Sequence, residues 1–156
     1  MRKSGILTLV ALVIAGCGGP PNPPGPASLP KMTPQNSTLR KDDPELDAAI
    51  AKARATLDSF IARLEHPKPR EVFSIEAQFA APDGTHEYLW LDDVTFKDDL
   101  FKGTLRNRPA KVVSLRQGTE VSAKKSDVTD WTIFTSGKGE GGYTVDVLLR
   151  REGQAP

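Results

Sequence analysis

The chain has 156 residues, 26% of them charged, 38% hydrophobic, and a formal net charge of +1, which is the length and balance of a single domain. So small a charge excludes a field that would gather nucleic acid, and Lys124-Lys125 and Arg150-Arg151 are isolated pairs rather than a stripe. Cys17 is the only cysteine, so the folded part has neither an internal disulfide nor a thiol nucleophile.

Arg2 and Lys3 open the chain, and the apolar run Ile6 to Ile14 follows. Its length of about nine residues is far short of the ~20 that a membrane-spanning helix needs. Small Ala15 and Gly16 then precede Cys17. This arrangement resembles the bacterial lipobox, which implies removal of residues 1–16 and a diacylglyceryl thioether with an acylated amine at Cys17. An ordinary secretory signal with an incidental cysteine is the plainer reading. Removing Arg2 and Lys3 takes the formal charge from +1 to −1. Two or more acyl chains anchor a protein stably, so the lipid bilayer is the expected partner of Cys17. Gly18 stands where the sorting rule of enteric bacteria places Asp in inner-membrane lipoproteins. The expected address is therefore the outer membrane, facing the periplasm.

Residues 17–42 form the tether. Pro20, Pro21, Pro23, Pro24, Pro26, Pro30 and Pro34 fix φ and remove donors, so neither helix nor ladder is expected. Such a segment is an extended, semi-rigid spacer rising ~3.1 Å per residue.

The domain spans 43–151, and residues 152–156 are expected to fray. Asp43 is a good N-cap, Pro44 suits the first helical position and Glu45 the positive end of the dipole. Leu46, Ile50, Ala53, Leu57, Phe60 and Leu64 form one apolar stripe that Ala49 and Ile61 widen. His66-Pro67 stops the helix. From Glu71 the period changes to two, with Phe73, Ile75, Ala77 and Phe79 on one face. Further strands are expected over 87–96, 100–105, 111–113, 120–122 and 131–134, separated by turns at Pro82-Asp83-Gly84, Lys97-Asp98-Asp99 and Gln117-Gly118. After Gly141-Gly142-Tyr143 two readings stand. Thr144 caps a short helix, or Val145-Asp146-Val147 is a last strand, which the alternation favours. The fold class is α+β, an N-terminal amphipathic helix packed on a curved antiparallel sheet or small open barrel.

Chemistry is sparse. His86 beside Glu87 is a conceivable His–carboxylate pair, yet a metal site needs three or four converging ligands. Asp92, Asp93, Asp98 and Asp99 place four carboxylates on one hairpin, but aspartate is an ordinary turn former and the calcium-loop spacing is missing. No G-x-S-x-G elbow or Gly-Lys-Ser/Thr loop occurs, and no cofactor is expected. Asp130-Trp131 with Gly141-Gly142-Tyr143 is the best candidate recognition surface, with Trp90 added to it. The competing reading makes Trp131 a core anchor and Asp130 a turn cap.

The stretch from about Ala49 to Leu149 resembles the YegJ-like family, domain of unknown function 2314. The resemblance rests on Ala53-Arg54-Ala55-Thr56-Leu57 with Phe60, Phe73-Ser74-Ile75, Glu87-Tyr88-Leu89-Trp90, and Phe101-Lys102-Gly103-Thr104-Leu105 with Asn107. Leu115 to Gly118, Val121, Asp130-Trp131 and Gly141-Gly142-Tyr143-Thr144 complete it. The sequence departs from the family at Glu76, where lysine is usual, at Tyr88, where histidine is, and at Asp146, where arginine is common. The resemblance implies a fold and boundaries, and no activity. The sequence thus points to a lipid-anchored envelope module that binds an envelope protein or cell-wall component through Trp90, Asp130, Trp131 and Tyr143. The alternatives are an envelope hydrolase using His86/Glu87 or the aspartate hairpin, and an immunity module that neutralises a toxin.

Overall fold

In the computed structural model the described residues are 42–153. The expected signal peptide, Cys17 and the tether up to residue 41 lie outside them. The first element, α1 (Pro44–Glu65), starts where the sequence predicts: Asp43 is extended, and its Oδ1 accepts from the N–H groups of Glu45 and Leu46, each at 3.2 Å. Leu46, Ala49, Ala53, Leu57, Phe60 and Ile61 are its buried face, with Ile50 and Leu64 half-buried beside them. It ends at His66, whose N–H donates to Arg63 O ahead of Pro67.

Six strands follow, β1 (Glu71–Ala80), β2 (His86–Lys97), β3 (Leu100–Leu105), β4 (Glu120–Lys124), β5 (Val128–Thr135) and β6 (Lys138–Gly141). They form one open antiparallel sheet in the order β4-β3-β2-β1-β5-β6. The α+β architecture is the expected one. Alternation puts Phe73, Ile75 and Ala77 of β1 with Leu89, Leu91, Phe101, Val121, Trp131 and Ile133 in a single core under α1. Phe60 sits at its centre, with ring centroids 5.7 Å from Phe73, 6.2 Å from Phe101 and 5.3 Å from Trp131.

The opposite face is polar. Ser74 and Glu76 of β1 are buried there. Ser74 Oγ donates to Asp92 Oδ1 at 2.8 Å, and Arg106 Nε reaches both Asp92 oxygens at 2.9 Å. Two bulges bend the ladder. At Asp93, φ is +52° where β2 carries two residues against Gly103, and β5 inserts Thr129 opposite the Glu76–Ala77 step. Gly103 fits this site because a Cβ there would stand 2.7 Å from Asp92 O.

Two expected strands do not form. Lys111–Val113 belongs to the irregular connection from Arg106 to Thr119, because the N–H groups of Ala110, Lys111 and Val112 bond the Glu87 carboxylate instead of a neighbouring strand. Val145–Val147 lies in a helix, α2 (Tyr143–Arg151), which turns Val147 and Leu148 onto Leu46 and Ala49 of α1. The edge strand β6 has no counterpart in the sequence reading. The Asp98-Asp99 turn is present as expected, with φ of +52° and +59° at its two central residues, the pattern of a tight hairpin turn.

Candidate functional site

Three of the four aromatic and acidic residues singled out from the sequence come together at the β5–β6 end of the sheet. Gly142 adopts φ +72°, and its N–H donates to Trp131 O at 2.8 Å, which launches α2. The helix has no cap of its own. Asp130, reaching over from β5, supplies it: Oδ2 accepts from Thr144 N–H at 2.8 Å and Thr144 Oγ1 at 2.7 Å, and Oδ1 from Tyr143 N–H at 3.2 Å and Trp131 N–H at 2.8 Å. Trp131 packs edge-on against Tyr143 at 5.8 Å, and its indole N–H donates to Ala53 O at 3.1 Å. Asp130 is fully buried, Trp131 nearly so and Tyr143 half-buried, with Lys52 Nζ 4.7 Å over the Tyr143 ring.

Trp90 is elsewhere. It lies on β2, directly across from Glu76 and so in one cross-strand row with Asp130 two strands away, on the face opposite Trp131, buried, with the Arg106 guanidinium 5.2 Å from its ring. Trp90 Nε1 and Thr132 Oγ1 are buried with no hydrogen-bond partner among the described residues.

Asp130 faces Glu76 across the β1–β5 ladder, and both are buried. Burial pushes the Asp130 carboxyl up to about 6, the Glu76 charge adds to the rise, and the hydrogen bonds from Thr144 and Trp131 oppose it. Glu76 in turn accepts from Thr129 Oγ1 at 2.8 Å. Glu76 thus puts a second carboxylate beside the helix cap.

The groups proposed for hydrolysis are held differently. His86 is exposed at the start of β2, while Glu87 points inward and receives three backbone N–H groups at 2.7 to 2.9 Å. These three bonds hold the connection at residues 110–112 against β2. Asp92 is ion-paired to Arg106, Asp93 lies in a bulge, and Asp98 and Asp99 form a turn. Among the described residues no three His, Cys, Asp or Glu side chains converge to hold a metal ion.

An accessible concavity lies at the other end of the sheet. A groove of about 750 Å³ runs between α1 and the β3–β4 hairpin. Leu57 and Leu100 line it with apolar surface, Arg54 and Lys125 with basic charge and Asp98 and Asp99 with acidic charge, and Lys124 borders it from the outer strand. Arg54 is fixed by donating Nε to Val128 O at 2.9 Å, and Lys125 by Asp58 Oδ1 at 2.7 Å. Leu100 is 38% exposed, large for an apolar side chain. Sequence reasoning missed this groove, which three segments far apart in the chain build together. The exposed Leu100 beside the Asp98-Asp99 turn was the one signal available.

The family of uncharacterized proteins conserved in bacteria known as DUF2314 matches residues 43–155. The chain belongs to the DUF2314 family. The Escherichia coli K12 protein YegJ, itself uncharacterized, is 35% identical over 108 residues, which are 69% of each chain. A Neisseria meningitidis serogroup B protein named as an ankyrin repeat protein is 27% identical over 118 residues. The match covers 70% of this chain and 47% of that one. No solved structure matches the chain. The DUF2314 match begins at the residue that caps α1 and takes in all six strands and α2.

Proposed function

We propose that this DUF2314 protein is a lipid-anchored module of the bacterial cell envelope that binds a partner without catalysis. The observation that carries the binding reading is the groove between α1 and the β3–β4 hairpin. It is open to solvent, lined by Leu57 and Leu100 and by charges of both signs, which is the mixed character of a protein-recognition surface. Its lining residues are not those that hold the α2 end of the fold together. The carboxylates that could serve hydrolysis are engaged in loops, turns and an ion pair.

The anchor is supported by Arg2-Lys3, the short apolar run and Ala15-Gly16-Cys17, and the outer-membrane address by Gly18. No helix among the described residues is long and apolar enough to cross a membrane. The test places a photo-crosslinking amino acid at Leu100 of the full chain in living cells. A discrete adduct with another protein, lost when Cys17→Ser removes the anchor, is expected. Absence of any adduct, or an adduct with a second copy of the chain alone, overturns the reading.

A further inference from the structure

An open sheet has two terminal strands, and here they differ. β6 has four residues, two of them glycine, and runs at once into α2. β4 has five residues and nothing bonded along its outer side among the described residues.

The direction of its backbone groups follows from two bonds. Lys125 N–H donates to Asp99 O and Leu105 N–H to Thr119 O, both at 2.9 Å, so residues 119 and 125 turn toward β3. In an antiparallel ladder this direction alternates along the strand. Val121 and Ala123 therefore also face β3, while Glu120, Ser122 and Lys124 present N–H and C=O outward. Their side chains are exposed on the face away from α1, whereas Val121 and Ala123 are buried beneath it.

A row of alternating donors and acceptors at two-residue steps is matched by another β-strand. The charges decide which one. Glu120 and Lys124 stand two residues either side of Ser122. A two-fold axis through Ser122 sets each Glu120 opposite Lys124 of the second copy, and opposite charges directly across a ladder attract. Edges that keep copies apart carry charges of one sign or inward-pointing charges; this edge carries one of each, placed symmetrically and pointing outward.

We propose that β4 is a self-pairing edge, through which two copies of the chain join antiparallel about Ser122 into one continuous sheet. About six inter-strand hydrogen bonds form along the seam, flanked by two Glu120–Lys124 pairs. The exposed Leu100, which lies opposite Lys124 on β3, borders the seam. Lys124 and Leu100 also line the groove, but the pairing is made by the backbone of β4, and self-association is read without any groove partner.

The test uses the full chain with Cys17→Ser in detergent, so that an engineered thiol is the single one. Opposed residues of a hydrogen-bonded pair have Cα atoms about 5.5 Å apart, within disulfide range. Ser122→Cys is expected to give a covalent dimer on mild oxidation at several-fold the yield of Ser136→Cys on the exposed β5–β6 turn. Sedimentation equilibrium with Ser122 intact gives a second readout. Lys124→Glu is expected to weaken self-association about tenfold by setting like charges opposite, and the double change Glu120→Lys with Lys124→Glu to restore it. Equal crosslinking at the two thiol positions, or a Lys124→Glu chain that associates as the parent does, overturns the proposal. A double change that fails to restore association overturns it as well.

Discussion

The two ends of the sheet are built differently. At the β5–β6 end nearly every polar group is engaged. Asp130 caps α2, Trp131 is wedged under α1, and Arg150 and Arg151 at the C-terminus of α2 bond Asp43 and Glu45 at the N-terminus of α1. At the β3–β4 end an apolar side chain, a lysine and a row of backbone groups face outward. The difference teaches where the stability of this fold is concentrated, and under the proposed reading the open end is left for recognition. Substitutions at the closed end should unfold the domain, and those at the open end should spare it.

The largest test of that contrast is Trp131→Ala. It removes a buried indole that touches Phe60 and Tyr143 and bonds Ala53 O, and should cost about 3–5 kcal/mol in urea unfolding. A loss under about 1 kcal/mol would erase the distinction between the two ends.

Next in size is the pH dependence of Asp130. Its folded pKa of about 6 lies above the ordinary aspartate value of 3.8, so the folded state holds its proton more tightly than the unfolded one. That contribution is fully present below about pH 4 and is lost as pH rises through 6, a span worth up to ~3 kcal/mol. Unfolding free energy should therefore rise as pH falls from 7 to 5. Asp130→Asn should flatten that window, as denaturant titrations across it would show. Below about pH 4 the sign reverses. Glu71, held down to about 2 first by its hydrogen bond from Arg63, and Asp43, held there first by Arg151, then lose their charge.

Glu87→Ala comes third. Leaving three backbone N–H groups without their acceptor should cost ~1–3 kcal/mol and speed hydrogen exchange at Ala110, Lys111 and Val112 above all other amides. Thr132→Val should act in the opposite direction, because it removes a buried hydroxyl that has no partner among the described residues; a gain of ~1 kcal/mol in the same unfolding assay is expected. Smallest is Leu100→Ser, at the open end, which should leave stability within about 0.5 kcal/mol.

Much of the fold is legible in the sequence because its signals are local. The Asp43-Pro44 cap, the stripe through Leu57 and Phe60, the alternation of Phe73, Ile75 and Ala77, and the Asp98-Asp99 turn each need only neighbouring residues. What escaped depends on distant ones. α2 reads as a strand from the spacing of Val145 and Val147, and becomes a helix because Asp130, fourteen positions before Thr144, caps it. Lys111-Val112-Val113 has strand composition, yet Glu87 takes the N–H groups that a ladder would need. β6, Lys138-Gly139-Glu140-Gly141, carries no apolar residue to betray it; only the positive φ of Ser136 and Gly137 makes the tight hairpin that pairs it with β5. Asp130, Trp131 and Tyr143 lie together because the β5–β6 hairpin folds residue 143 back beside residue 130, a reversal whose glycines are visible in the sequence. Trp90 stands two strands from Asp130 in the same cross-strand row and on the face opposite Trp131, a placement that only the registers of β2 on β1 and of β1 on β5 fix.

The central claim is that recognition happens at the open end of the sheet. A photo-crosslinking scan in living cells tests it most directly, with the reactive side chain placed in turn at Leu100 and Lys124 and at Lys138 and Arg151 of the closed end. Adducts with another protein from the first two positions and none from the last two are predicted. Adducts concentrated at Lys138 and Arg151 would contradict the account.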